Sequence, residues 1–69
     1  MTSTRRRFHI TFAGEIGPAT RAAFADLDVH IAEGTTVLSG ELVDQAALHS
    51  ILERVQALGL ALIEVRVED

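Results

Sequence analysis

The apolar residues of this 69-residue chain fall into six successive segments of regular spacing, and the order of those spacings limits the possible folds. Apolar residues at every second position predict a strand with one buried face, whereas spacings of three and four residues predict a helix. Alternation occurs in residues 7–12, 29–32, 35–42 and 62–67, and helical spacing in residues 19–27 and 45–58. The sequence therefore predicts six elements in the order β-α-β-β-α-β.

Residues at the segment boundaries favour the same order. Pro18 suits the first turn of a helix, because proline has no N–H to leave unbonded there. Gly34 can adopt the positive φ that a tight hairpin requires. Asp44 is a good N-cap for the second helix. Gly59 suits the left-handed position that follows a helix, so the second helix is expected to end just before it.

The order β-α-β-β-α-β is that of the ferredoxin-like fold, an α+β plait. In this plait a four-stranded antiparallel sheet carries two helices on one face, and the first and third strands are central. Residues 7–69 are predicted to form one such domain, preceded by a flexible basic tail of residues 1–6. Because both helices cover the same face, the other sheet face is expected to remain open.

Strand and helix periodicity divide the side chains between a core and this open face. The predicted core contains Phe8, Ile10, Phe12, Phe24, Leu27, Ile31, Leu38, Leu48, Leu52, Val55, Ile63 and Val65. Within the second helix the predicted apolar stripe also includes Ile51 and Leu58. The open face, which also includes Ala32, supplies the candidate partner-binding residues, namely Arg7, His9, Thr11, His30, Val37, Ser39, Leu62, Glu64 and Arg66.

The size of the chain favours self-association. A domain of this length buries only about 60% of the surface that its unfolded chain exposes, and its core rarely supplies more than about 3–5 kcal/mol. There is no cysteine, so neither disulfides nor zinc–thiolate sites can compensate. We therefore expect a non-enzymatic interaction module, which forms a homodimer or docks as an accessory subunit on a larger protein through its open sheet face. Strand addition at the edge strands, the second and the fourth, is a rival route of association.

The charge distribution argues against nucleic acid as a partner. The formal net charge is −4, and residues 5–7 supply three of the six basic residues, all of which are arginine. Residues 8–69 therefore carry three arginines against ten acids, or −7, which repels a phosphate backbone.

No membrane attachment or export is expected. No apolar run approaches the roughly 18 residues that span a bilayer. The three consecutive arginines resemble a twin-arginine export signal, but Glu15, Gly17 and Pro18 interrupt the apolar segment that such a signal needs. We expect a cytoplasmic protein.

Catalytic and metal-binding residues are not expected, and neither is a cofactor. His9 and His30 lie on strands separated by a third strand, hence about 10 Å apart at a strand spacing of about 4.8 Å. That separation is too large for one metal ion. The alternative hypothesis is a small ligand-binding or enzymatic domain with a pocket at a dimer interface, as in small ferredoxin-like monooxygenases.

Two resemblances add to this interpretation. The element order and the loop Gly14–Pro18 resemble ACT-type regulatory domains in topology alone; those domains bind effectors at a dimer interface near this loop. The stretch GTTVLSGELVDQAALH (residues 34–49), with LERV at 52–55 and LGL at 58–60, resembles a group of short uncharacterised bacterial ferredoxin-like proteins from GC-rich genomes. The second resemblance covers about half of the chain and implies a free-standing small domain without an established activity.

Overall fold

A computed structural model describes residues 6–68 of the chain. The strands are β1 (Arg7–Ala13), β2 (Asp28–Ala32), β3 (Thr35–Glu41) and β4 (Ala61–Glu68), and the helices are α1 (Pro18–Ala22) and α2 (Gln45–Ala57). The predicted class, an α+β domain with a four-stranded antiparallel sheet and two helices, is confirmed. Residues 1–5 of the predicted tail, and Asp69, lie outside the described residues. Arg6, the last residue of that tail, accepts a backbone hydrogen bond from Leu42 at 2.7 Å.

The strands are arranged in the order β2-β3-β1-β4, and every neighbouring pair is antiparallel. Strands β1 and β3 are therefore central, while β2 and β4 form the two edges. Ile10 marks the middle of the sheet, because it lies opposite Leu38 on one side and Val65 on the other.

The β2–β3 hairpin closes through a two-residue turn. Glu33 and Gly34 both have positive φ angles, 47° and 82°, as a type I′ turn requires. The predicted role of Gly34 is confirmed. The loop after β1 is bonded to this turn: Gly14 N–H donates to Gly34 O at 2.6 Å, and Gly34 N–H donates to Glu15 Oε2 at 2.9 Å.

Helix α1 is shorter than the sequence predicted. It ends at Ala22, and the chain continues to residue 27 through tight turns with hydrogen bonds three residues apart. One such bond joins Leu27 N–H to Phe24 O at 2.9 Å. Phe24 and Leu27 are three residues apart, so a tight turn of period three directs both toward the sheet. Phe24 is fully buried there and Leu27 packs against the core.

Helix α2 has the predicted caps. Asp44 accepts a hydrogen bond from Ala47 N–H at 2.7 Å. At the other end Gly59 has a φ of 71°, and Leu60 N–H donates to Val55 O at 3.1 Å. Together with the bond from Gly59 N–H to the Gln56 carbonyl, this is a Schellman motif, which satisfies carbonyls at the end of the helix. Within residues 6–68 no helix is long and apolar enough to cross a membrane.

The core lies between the central strands and the helical segments. It consists of Phe8, Ile10, Phe12, Phe24, Leu38, Ile51 and Val55. Six of the predicted core residues are thus confirmed, all of these except Ile51, which the sequence placed in the α2 stripe. Leu27, Leu48 and Leu52 are partly buried against this cluster, and Ile31 is half-buried. Leu58 was wrongly assigned to the stripe, because it caps α2 and is 45% exposed.

Strand β4 departs most from the prediction, because all of its residues are exposed. A β-bulge lies in its pairing with β1: Thr11 is opposite Glu64, but Phe12 is opposite Leu62, so that Ile63 is passed over. The predictions of Ile63 and Val65 as core residues are therefore wrong. Helix α2 contributes Ile51 and Val55 to the core, and it lies near β4 without burying any side chain of that strand.

Candidate interaction surfaces

The structure brings eight of the nine predicted partner-binding residues together on one sheet face. Residues directly opposite each other in an antiparallel sheet share a face. His9 lies opposite Ser39 and Arg66, and Thr11 lies opposite Val37 and Glu64. His30 adjoins Val37 from the edge strand. With Arg7 this group defines the open sheet face, whose members are Arg7, His9, Thr11, His30, Val37, Ser39, Glu64 and Arg66.

Arg7 and His9 each contact a carboxylate across the open sheet face. Arg7 Nη2 lies 3.0 Å from Asp28 Oδ2, and His9 Nε2 lies 3.0 Å from Glu68 Oε1. Arg66 Nη2 lies 3.3 Å from the other carboxylate oxygen of Glu68. These side chains are 29–79% exposed, so each contact contributes little to stability, about 0–1 kcal/mol. The open sheet face therefore has the polar, self-paired character of a solvated surface, with half-buried Val37 as its apolar centre.

The sequence prediction missed Asp28 and Glu68 as members of this face. Both have the parity of outward residues on their strands, Asp28 with His30 and Glu68 with Glu64. Continuing the alternation by one step at each strand end would have found them.

The histidines do not form a common site. His9 and His30 are on strands separated by β3, opposite Ser39 and Val37 respectively. His49 is on α2, 3.7 Å from Glu53 one turn later. In the part of the chain from residue 6 to residue 68, no three potential metal ligands are grouped together.

The structure corrects the position of Leu62, which the sequence placed on the open sheet face. Leu62 lies opposite Phe12, whose side chain is buried on the helix side of the sheet. The bulge at Ile63 causes this change, because an extra residue in one strand reverses the alternation beyond it. Leu62 therefore faces α2 instead of the open side.

A groove separates α2 from β4. It has two adjoining parts of about 450 Å³ and 340 Å³, which share His49 and Leu52. We call this the α2/β4 groove. Its first part is lined by His49, Leu52, Glu53, Val55, Gln56, Leu60 and Leu62, and its second by Arg6, Leu42, Gln45, Leu48, His49, Leu52 and Val67.

Beside the groove, β4 exposes four large apolar side chains. Leu62 is 50% exposed, Ile63 58%, Val65 38% and Val67 36%, and we call these four residues the β4 patch. The strand is also at the edge of the sheet, where backbone N–H and C=O groups are available to another strand. An exposed apolar edge of this kind is typical of a site of association.

The glycine-containing loop after β1 has a structural role. Its Gly14 N–H and the Glu15 carboxylate are both bonded to Gly34 in the hairpin, as described above. Gly14 O accepts a hydrogen bond from the buried Thr36 hydroxyl at 2.7 Å. These groups form hydrogen bonds that join the loop to the hairpin. In an effector site of the ACT type, by contrast, they would be directed to a ligand.

A family model described as "Domain of unknown function (DUF8691)" matches residues 7–66. No curated protein and no solved structure matches the chain. The matched range runs from the first residue of β1 to Arg66 in β4, so it includes both helices, three whole strands and all of β4 except Val67 and Glu68. The chain therefore belongs to the DUF8691 family, a domain of unknown function.

Proposed function

We propose that this protein is a small non-enzymatic interaction module, which forms a homodimer or docks on a larger partner protein. The observation that best supports the proposal is the β4 patch. A chain of this size has a small core, and here four large apolar side chains of one strand remain outside it. Covering them with another protein surface would add apolar burial at about 25 cal/mol per Å².

Two surfaces compete as the interface. The open sheet face is the surface expected from the sequence, and Val37 is its apolar centre. Its Arg7 and His9 side chains, however, already contact the carboxylates of Asp28 and Glu68 within the chain. The β4 patch with the adjoining α2/β4 groove is more apolar and less committed to internal contacts, so we favour it over the open sheet face.

A ligand-binding or enzymatic domain is the second candidate. The larger part of the α2/β4 groove, about 450 Å³, is within the range of about 300–1,000 Å³ of small-molecule sites. It is open to solvent in a single chain, and a second copy over the β4 patch would enclose it. Native mass spectrometry of the purified protein tests this: a stoichiometric small molecule that is lost from Leu62→Arg would favour a ligand site over a simple module.

The element order and the strand order support a further proposal, that the domain is a ferredoxin-like plait with both helices on one sheet face. Phe24 and the α2 residues Ile51 and Val55 share one core cluster with the buried side chains of β1, which is the arrangement that such a plait requires. We also propose a cytoplasmic location and a bacterial origin, in keeping with the resemblance noted from residues 34–60.

Light scattering over a range of concentrations tests the interaction module. We expect a mass of twice 7.5 kDa, or 15 kDa, at high micromolar concentration. Val37→Asp places a charge at the centre of the open sheet face, and Val67→Asp places the same charge on the β4 patch. The proposal predicts dissociation by Val67→Asp and a retained dimer in Val37→Asp. A wild-type mass of 7.5 kDa throughout would contradict the homodimer and leave only a different protein as the partner.

A further inference from the structure

We infer that β4 pairs with β4 of a second copy of this chain, antiparallel, about a two-fold axis at Val65. This inference rests on the proposed function and adds the partner, the element and the register to it. The resulting assembly is one continuous eight-stranded sheet.

The two-fold axis restricts the possible registers. If it is perpendicular to the sheet, the helix side of one copy continues into the helix side of the other, so residues facing the same side must be opposite each other. Val65 lies opposite Ile10 on the helix side, whereas Glu64 and Arg66 lie opposite Thr11 and His9 on the open sheet face. Registers in which the axis passes through a residue of β4 satisfy this condition. Registers in which it passes between two residues do not.

Charge complementarity leaves two of these registers, centred on Val65 and on Val67, and the register centred on Val65 pairs the longer stretch of β4. With Val65 at the axis, Glu64 of each copy is opposite Arg66 of the other, so two opposite-charge pairs form by symmetry. Within residues 6–68 Glu64 has no ion pair, and the ion pair of Arg66 is with the exposed Glu68 carboxylate of its own strand, at 3.3 Å. A register centred on Glu64 would place that carboxylate against its own copy, and one centred on Arg66 would oppose two arginines.

Apolar contacts fit the same register. Val65 meets its own copy at the axis, and Ile63 of each chain is opposite Val67 of the other. Adjacent strands are about 4.8 Å apart, so these exposed side chains come into contact across the junction. Three of the four residues of the β4 patch are thereby covered, and Leu62 and the α2/β4 groove of each copy lie beside the junction.

The other edge strand lacks these features. Strand β2 has five residues, against eight in β4. Pairing β2 with itself about its middle residue would place His30 against His30 and Asp28 against Ala32, without an opposite-charge pair. Natural edge strands avoid association by being short or charged. In β4 the charged residues alternate in sign, which disfavours registers centred on a charged residue, and of the two registers that pair opposite charges the one centred on Val65 covers more of the β4 patch.

A charge-reversal cycle tests the register. Glu64→Arg and Arg66→Glu each place like charges opposite one another twice, and the double variant restores both pairs in reversed order. Sedimentation equilibrium at low ionic strength should show the dissociation constant rising about tenfold or more in each single variant, since each opposite-charge pair becomes a repulsive one. The double variant should return to within about threefold of the wild type. Far-UV circular dichroism checks that each variant is folded.

Glu33→Arg is the control for Glu64→Arg, because it makes the same change in net charge in the exposed hairpin turn and should leave the dissociation constant unchanged. Single variants that remain dimeric, or a double variant that does not recover, would overturn the register. Dissociation by Val37→Asp, with dimers retained in Glu64→Arg, would overturn β4 pairing but leave the interaction module intact. A wild-type monomer at all concentrations would overturn β4 pairing and the homodimer, and would leave docking on a different protein as the remaining form of the interaction module.

Discussion

Ile51 and Leu52 are adjacent on α2, yet the structure predicts that they contribute unequally to the free energy of unfolding. Ile51 is 5% exposed in the core, whereas Leu52 is half-buried and lines the α2/β4 groove. Replacing either residue with alanine removes the same three carbon atoms, because isoleucine and leucine are isomers. A difference in stability between the two variants therefore reflects the burial of the side chain and not the number of atoms removed. Each variant is the matched control of the other.

The magnitude for Ile51→Ala follows from its burial. Three buried methylene equivalents at about 0.8 kcal/mol each account for about 2.4 kcal/mol. A cavity term raises the total to about 3 kcal/mol, within the range of about 2–5 for such substitutions. For Leu52→Ala we expect about 1 kcal/mol, since part of the side chain is in water in the folded state and little cavity is left.

Thermal and urea unfolding measure the loss of unfolding free energy in both variants. Far-UV circular dichroism is the signal, because the chain has no tryptophan or tyrosine for fluorescence. In a domain of this size about 1 kcal/mol shifts Tm by about 4–8 °C, so Ile51→Ala should lower Tm by about 12–24 °C. All samples need the same protomer concentration, because association adds to apparent stability. Equal losses in the two variants, or a larger loss in Leu52→Ala, would refute the assignment of the buried face of α2.

Three further substitutions test individual contacts by urea unfolding. Asp44→Ala removes the cap bond to Ala47 N–H and should cost about 1 kcal/mol, while Asp44→Asn keeps an acceptor and should cost much less. Gly40→Ala should cost about 1–3 kcal/mol, because the added Cβ would lie 3.2 Å from the buried Phe8 ring; an unchanged midpoint would contradict that close approach. Arg54→Met keeps the aliphatic stem but loses the 2.8 Å bond to Ala23 O and the contact of the guanidinium over Phe24, so we expect a loss of about 1 kcal/mol, and no loss would show that neither contact matters.

The sequence predicted those parts of the fold that local chemistry determines. Alternation in β1 identified Phe8, Ile10 and Phe12 as buried, and Asp44 and Gly59 marked the ends of α2 correctly. Each of these signals acts within a few residues of chain. Capping and strand alternation are therefore readable without knowledge of the tertiary structure.

The errors arise where two local periods are compatible with one pattern. Phe24 and Leu27 are three residues apart, which fits both an α-helix and a tighter turn, and the chain forms the tighter turn. In β4 the apolar residues shift from an even-numbered position, Leu62, to the odd-numbered positions that begin at Ile63. That change was a readable signal of the bulge, and a single unbroken alternation was the wrong interpretation of it.

The candidate site could be predicted only in part. Parity placed eight residues on the open sheet face, but the exposure of β4 depends on the position of α2 over the sheet. That position is set by which side chains of α2 enter the core, namely Ile51 and Val55. Such tertiary packing is not encoded in the pattern of any single element, so the β4 patch became evident only in the structure.

Amide hydrogen exchange along β4 tests the central claim most directly. Alternate N–H groups of an edge strand point away from the sheet, and in a single chain they are open to solvent. We predict that the outward amides in residues 63–68 are protected at concentrations where the mass is 15 kDa, and that dilution removes this protection while the amides facing β1 stay protected. The outward amides of β2 should exchange freely throughout. A dimer in which the outward amides of β4 exchange as fast as those of β2 would contradict the account.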